Sequence, residues 1–217
     1  MLRLVIGDKQ LSSWSLRPWM LLRHLGLPFE EIRLPLDTPP FRDEIGRYSP
    51  SRRVPVLLDD GLVVWDSLAI CEYLSERAGG AGWPADAAAR AQARSISAEM
   101  HSGFAAMRSA WSLRAADRGL HVPLDASAHA DVQRIDTLWC DCLARHAEQD
   151  AWLFGRRYGI ADAMYAPVVL RFNTYGASLS TAAQAYVDLA MADPHLLDWI
   201  EGARRELADE GRPAEHP

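Results

Sequence analysis

The 217-residue chain is poor in cysteine, has no dense basic run and holds no long apolar stretch, and each shortage removes a class of function. Its three cysteines, Cys71, Cys140 and Cys142, are odd in number. The last two stand two apart, which suits neither a disulfide nor a pair of zinc ligands. No disulfide framework and no metal are expected. Twenty-nine acidic residues against twenty-three basic ones give a formal net charge of -6, which excludes a phosphate-neutralising surface and so nucleic acid as a partner. No stretch reaches the roughly 18 apolar residues of a membrane span. The start, MLRLVIGDKQLSSWSLRPW, lacks a basic segment followed by an unbroken apolar one, so a cytoplasmic protein without a membrane partner is expected. What the chain does have is 49% hydrophobic residues, enough for one large or two small cores.

The first eighty residues alternate short apolar runs with helical stretches, whereas everything after about Pro84 is helical in pattern. Strands are expected at Leu2 to Ile6, Phe29 to Leu34, Val54 to Leu58 and Leu62 to Trp65. Asp59-Asp60-Gly61 joins the last two as a hairpin. A helix from about Ser15 to Leu25, stopped by Gly26 and Pro28, turns the first two strands into a parallel βαβ unit. With Ser15 as its N-cap, Pro18 falls at the third helical position, where its missing amide has no intrahelical acceptor. A further helix runs from Ser67 to about Arg77. The glycines and proline of Gly79 to Pro84 read as a linker. Beyond it, helices are expected over Asp86 to Ala116, Ala126 to Ala147, Asp162 to Tyr175, Thr181 to Ala192 and Pro194 to Glu206, with the last six residues frayed. The domains are therefore drawn at 1–79 and 86–217, with 80–85 between them.

Three loops of the first domain carry chemistry jointly. Leu11 to Arg17 places a serine cluster between a strand end and a helix start, where an open α/β sheet binds ligands and free amides favour an anion or thiolate. In Arg52-Arg53-Val54-Pro55-Val56-Leu57, a proline just inside an apolar strand marks an edge or a special bend. A cis Val54–Pro55 bond would let Val54 offer its amide and carbonyl to an extended peptide. In Trp65-Asp66-Ser67-Leu68-Ala69-Ile70, Ser67 as a helix N-cap sets its amide and hydroxyl where a carboxylate binds. Asp66 beside it can accept from an ammonium, and the pair fits an α-amino acid.

These ordered motifs, followed by an all-helical second half, resemble the cytosolic glutathione transferase family over essentially the whole chain. Gly155 to Pro167 resembles the family's helix-capping segment, with Asp162 at the buried aspartate, although Gly159 replaces the usual Ser or Thr cap. The resemblance implies a thioredoxin-like domain that binds glutathione as co-substrate and an all-helical domain that receives a small hydrophobic electrophile, usually in a homodimer. Serine, theta and zeta-type members use a pattern like Ser12-Ser13-Trp14-Ser15. It assigns Ser12, with Ser13 as second choice, to the glutathione sulfur. Ser15, Arg17, Arg53, Val54, Pro55, Asp66 and Ser67 are the glutathione-binding candidates, with Arg17 and Arg53 equally readable as surface charges. His101, Phe104, Arg108 and Trp111 are candidates for the electrophile pocket, or else core. A tyrosine-type mechanism would need a tyrosine within residues 1 to 17, and there is none.

Thiol physics gives the expected mechanism. A free thiol has a pKa of about 8.5, so only about 3% is thiolate at neutral pH. Lowering the pKa by about two units corresponds to about 2.7 kcal/mol and raises the thiolate fraction roughly twenty-five-fold. A donating serine and a helix start favour the charged form. The rivals are a glutathione-dependent isomerase of the maleylacetoacetate-isomerase type, a glutathione-binding stress protein without catalysis, and a disulfide reductase. The last normally needs a cysteine at the helix-one loop, and residues 8 to 19 contain none; cysteine is likewise missing at Trp14, where the zeta-like pattern has it.

Overall fold

A computed structural model describes residues 1–146 and 151–211. Ala147 and the six terminal residues, on which two of the sequence expectations fall, lie outside the described residues.

A four-stranded mixed sheet is built from β1 (Leu2–Ile6), β2 (Phe29–Arg33), β3 (Val56–Asp59) and β4 (Leu62–Val64), in the order β2-β1-β3-β4. β1 runs parallel to β2, as the βαβ reading requires, and antiparallel to β3. The hairpin closes through Asp60 and Gly61, whose φ values of 45° and 92° are what a two-residue primed turn asks of Asp-Gly. α1 (Ser13–His24) crosses between β1 and β2 and buries Leu16, Met20, Leu21 and Leu22; Gly26, at φ 64°, ends it in the left-handed conformation. α2 (Pro39–Tyr48) is a helix the sequence pattern did not mark. Thr38 caps it by accepting from the Phe41 amide at 3.3 Å, and Ile45 is its one buried residue. α3 (Ser67–Arg77) completes this half.

The rest of the described chain is helical: α4 (Ala87–Ser102), α5 (Ala105–Ala110), α6 (Ala126–His146), α7 (Ile160–Tyr175), α8 (Thr181–Met191) and α9 (Pro194–Asp209). The single helix expected over 86–116 is corrected to two. Gly103 ends α4 and Phe104 turns left-handed at φ 59°. A Cβ at residue 103 would lie 2.7 Å from the Glu99 carbonyl oxygen, so the break is built around a glycine. α7 starts two residues earlier than the sequence suggested and is buried along nearly its whole length. Its start is half of a reciprocal cap. The Gly159 amide donates to Asp162 Oδ2 at 2.9 Å, while a glycine returns nothing. Asp162 Oδ1 accepts from the Leu153 amide and the Tyr186 hydroxyl, both at 3.0 Å. A side chain at 159 would meet the Gly82 carbonyl at 3.1 Å, which accounts for the glycine.

One apolar core runs from the inner face of the sheet (Leu4, Ile6) through α1 and α3 into α7 and α9. A smaller cluster of Val5, Leu34, Ile45 and Val56 lies under α2.

Candidate active site

The loop from Gly7 to Ser12 joins the end of β1 to α1 and is held from both sides. Asp8 Oδ2 accepts from the Leu36 amide at 2.8 Å. From α9, Glu206 accepts the Lys9 amide at 2.8 Å, and Trp199 Nε1 donates to the Lys9 carbonyl at 2.9 Å. The Gln10 side chain donates to Asp117 Oδ2 at 2.9 Å and accepts from the Ala116 amide at 2.8 Å. Asp8, Lys9 and Gln10 thus each have a fixed partner, the condition for a preorganised site.

Ser12, not Ser15, is the N-cap of α1, so the expected helix start is corrected. The reason is that the Ser15 hydroxyl turns inward, where its Oγ accepts from the Gly7 amide at 3.2 Å. Pro18 accordingly falls at the sixth helical position, where the Trp14 carbonyl loses its helical donor. Ser12 makes no capping bond; its Oγ lies 2.7 Å from Ser15 Oγ and the residue is 5% exposed. Ser13, the first helical residue, is half-buried.

The second loop brings Val54–Pro55 to the start of β3 with a cis bond, so of the edge and the special bend that the sequence left open it is the bend, β3 lying inside the sheet. Arg53 is exposed, with its amide on Ser49 Oγ at 3.3 Å. At the third loop the cap assignment is again shifted by one. Asp66, not Ser67, is the N-cap of α3, because its Oδ1 reaches the Leu68 amide at 3.2 Å. Ser67 is fully buried, and its Oγ accepts from Arg17 Nη1 at 3.4 Å. Arg17 is therefore no surface charge: it is 2% exposed, its Nε has no partner, and its guanidinium lies over the Trp14 ring at 4.3 Å. Burial, with Arg108 and Arg171 nearby, pulls its pKa down to about 9.

Of the residues expected on the electrophile side, two face this cleft. His101 Nε2 pairs with Asp66 Oδ2 at 3.1 Å and its ring meets the edge of Trp14 at 5.2 Å. The Arg108 guanidinium lies over the same indole at 4.7 Å. Phe104 and Trp111 instead belong to the core. Trp111 stacks on Tyr175 and donates its Nε1 to the Val122 carbonyl at 2.9 Å. Trp14 and Arg171 join the site without having been singled out as candidates. Arg171 Nε donates to the Trp111 carbonyl at 2.7 Å. An arginine within a largely apolar helix at 160–175 was the signal for it. Burial pushes the Cys71 thiol well up and that of Cys142 up to about 12, so neither offers a thiolate. A cavity of about 910 Å³ elsewhere, between Ser75, Trp83, Arg90 and Tyr158, touches none of these groups.

The geometry offers paired hydroxyls at a helix start, a buried serine backed by an arginine, and an exposed carboxylate next to it. Comparison with known proteins gives a family-level match. Residues 11–77 match the family model described as glutathione S-transferase, N-terminal domain, and residues 128–202 the corresponding C-terminal domain. A glutathione transferase homologue from Burkholderia gl BGR1, solved with bound glutathione, is 25% identical; the alignment covers 94% of this chain and 98% of that one, with a TM-score of 0.71. Isozyme E7 of Drosophila melanogaster glutathione S-transferase shares the fold at 21% identity, covering 100% and 99% of the two chains, with a TM-score of 0.69. Among curated proteins, dichloromethane dehalogenase of Methylorubrum extorquens is 38% identical over 63 residues, a match that spans 27% of this chain and 21% of the dehalogenase. Among the described residues, no helix is long and apolar enough to cross a membrane.

Proposed function

The chain belongs to the glutathione S-transferase family, and from that premise we propose that it conjugates glutathione to small electrophiles, with the thiol activated by Ser12. The observation that carries this reading is the Ser12–Ser15 pair at the start of α1, its oxygens 2.7 Å apart. Ser12 Oγ donates to Ser15 Oγ, which also accepts from the Gly7 amide, so the Ser12 side chain is held in place by its own proton. When glutathione binds, that proton turns from Ser15 Oγ to the sulfur. The N-terminus of α1 adds partial positive charge at the same point.

The site fits glutathione on two further counts. The unpartnered Nε of Arg17 lies behind Ser67, which suits a carboxylate over the start of α3, and Asp66 is exposed to accept an ammonium beside it. Val54, ahead of β3, presents backbone for an extended peptide. Glutathione supplies the sulfur nucleophile, which forms a C–S bond as a halide leaves or as a double bond takes up a proton. Ser12 holds the sulfur deprotonated, Ser15 orients Ser12, and His101, Arg108 and Trp14 border the electrophile. We place the domain boundary at 80–85 and take the protein to act as a cytoplasmic homodimer.

Retention on immobilised glutathione together with conjugation of a neutral aryl halide tests the reading. Turnover that collapses in Ser12→Ala supports it. Retention without turnover on any electrophile panel sinks it in favour of a binding protein.

A further inference from the structure

Three guanidiniums gather around the electrophile side of the cleft, and among the described residues none of them has a carboxylate partner. Arg17 and Arg108 both ride on the Trp14 indole, at 4.3 and 4.7 Å. Arg17 spends one nitrogen on the Ser67 hydroxyl and leaves Nε unpartnered. Arg108 donates to the Gly103 carbonyl at 3.3 Å. Arg171, 5% exposed, donates to the Trp111 and Pro167 carbonyls at 2.7 and 3.2 Å. Burial first, and then Arg108, pulls Arg171 down to about 10. Burial likewise lowers Arg108. Asp66, whose charge bears on Arg17, pairs with His101 at 3.1 Å and is assigned above to the ammonium of glutathione.

Buried like charges without a counter-ion are costly, and proteins keep them where a ligand supplies the missing charge. Glutathione accounts for part of this. Arg17, through Ser67, serves its α-amino-acid end, which leaves Arg108 and Arg171 with no anion of their own. Arg108 is the half-buried one, at the mouth of the cleft and one indole ring away from the serine loop. A guanidinium fork suits a planar carboxylate, and the indole beneath it suits an aromatic or unsaturated body.

We propose that the electrophile taken by this site is a carboxylate-bearing one, its apolar body against Trp14 and its carboxylate on Arg108, with Arg171 behind it. This rests on the transferase reading and narrows its substrate class from merely hydrophobic to amphipathic and anionic.

The test compares binding of S-(4-carboxybenzyl)glutathione and S-benzylglutathione to the full chain by calorimetry at low salt. The carboxylate should bind at least about tenfold more tightly, an advantage that shrinks as salt rises. In Arg108→Gln the ratio should fall to about one, and Arg108→Lys should keep part of it. Equal binding of the two ligands by the parent protein overturns this proposal and leaves the glutathione site standing. Failure to bind either overturns both. A preference that survives Arg108→Gln overturns the assignment to Arg108. Catalysis gives an independent arm: 4-chloro-3,5-dinitrobenzoate should outrun its methyl ester in kcat/KM, although the ester is intrinsically the more activated. An ester preference sinks the anion subsite while still reporting a working transferase.

Discussion

Replacing Ser12 by alanine separates hydroxyl activation of the thiol from every other contribution of the fold. The hydroxyl is the N-cap group of α1, makes no capping bond and lies 2.7 Å from Ser15 Oγ, so its removal leaves the helix intact. A hydrogen bond from a neutral donor to a charged acceptor is worth roughly 1.5–3 kcal/mol, equivalent to about 1–2 pKa units. The helix start, worth about 0.3–1 kcal/mol, stays in the variant. With a bound thiol at a pKa of about 6.5 in the parent, S12A moves it to about 7.5–8.5, and the thiolate fraction at pH 7 drops about 3- to 25-fold. kcat should fall by the same factor at pH 7. The deficit should close above about pH 9.5, where both thiols are ionised. KM for glutathione should move less than kcat, because the peptide contacts lie elsewhere. Ultraviolet absorbance of the thiolate, titrated on protein saturated with glutathione, reads the pKa directly. A pKa unchanged in S12A but raised in Ser13→Ala transfers the role to Ser13. A pKa unchanged in both variants refutes activation by an alcohol.

Ser15→Ala should shift the same pKa by less than S12A does, and the double variant should be no worse than S12A alone, because Ser15 acts only through Ser12. It should also cost about 1–3 kcal/mol of stability, measured in urea, since the buried Gly7 amide loses its acceptor. Gly103→Ala should destabilise by about 1–3 kcal/mol through contact with the Glu99 carbonyl at 2.7 Å; a loss under about 0.5 kcal/mol would show that the α4–α5 break does not need glycine. Burial holds the Asp162 carboxyl up to about 6, against 3.8 for an ordinary aspartate. The folded chain therefore keeps a proton that the unfolded chain has lost, and the group's contribution to stability falls as pH rises from about 4 through 6. Asp162→Asn removes that titration, so the gap between parent and variant should be about 2 kcal/mol smaller at pH 7 than at pH 4. A gap independent of pH contradicts it.

Much of the fold could be read from local chemistry alone. The β1–α1–β2 unit followed from apolar runs ended by Gly26 and Pro28, and the hairpin from Asp60-Gly61, because those residues act within a few positions of themselves. Both cap assignments slipped for one reason. Ser12 and Ser15 are equally good caps on paper, as are Asp66 and Ser67. The choice was made by partners far away in sequence, the Gly7 amide for Ser15 and Arg17 for Ser67. α2 was overlooked because its apolar stripe is only three residues, Phe41, Ile45 and Tyr48, of which Ile45 alone is buried. The break at Gly103 was overlooked because alanine periodicity runs across it, although the glycine itself was in plain view. Arg171 is the converse case. Periodicity counts it as a polar interruption of an apolar helix, and its meaning emerges only when α1 and α5 bring Arg17 and Arg108 beside it.

Arg17 ties these parts into one machine. Its Nη1 reaches the Ser67 hydroxyl at the start of α3, and its guanidinium covers Trp14, two residues beyond Ser12, from the other side. In the proposed function, the carboxylate end of the glutathione site and the floor of the electrophile cleft share this one buried cation. Its position is set by the same loop that α9 and residues 115–117 clamp. An anion that neutralises Arg17 from the Ser67 side weakens the repulsion it exerts on Arg108 and Arg171, because like charges in a buried site feel one another strongly. On that reading, filling the first site changes the field in the second before any electrophile arrives, while the clamp on the Gly7–Ser12 loop keeps Ser12 in place.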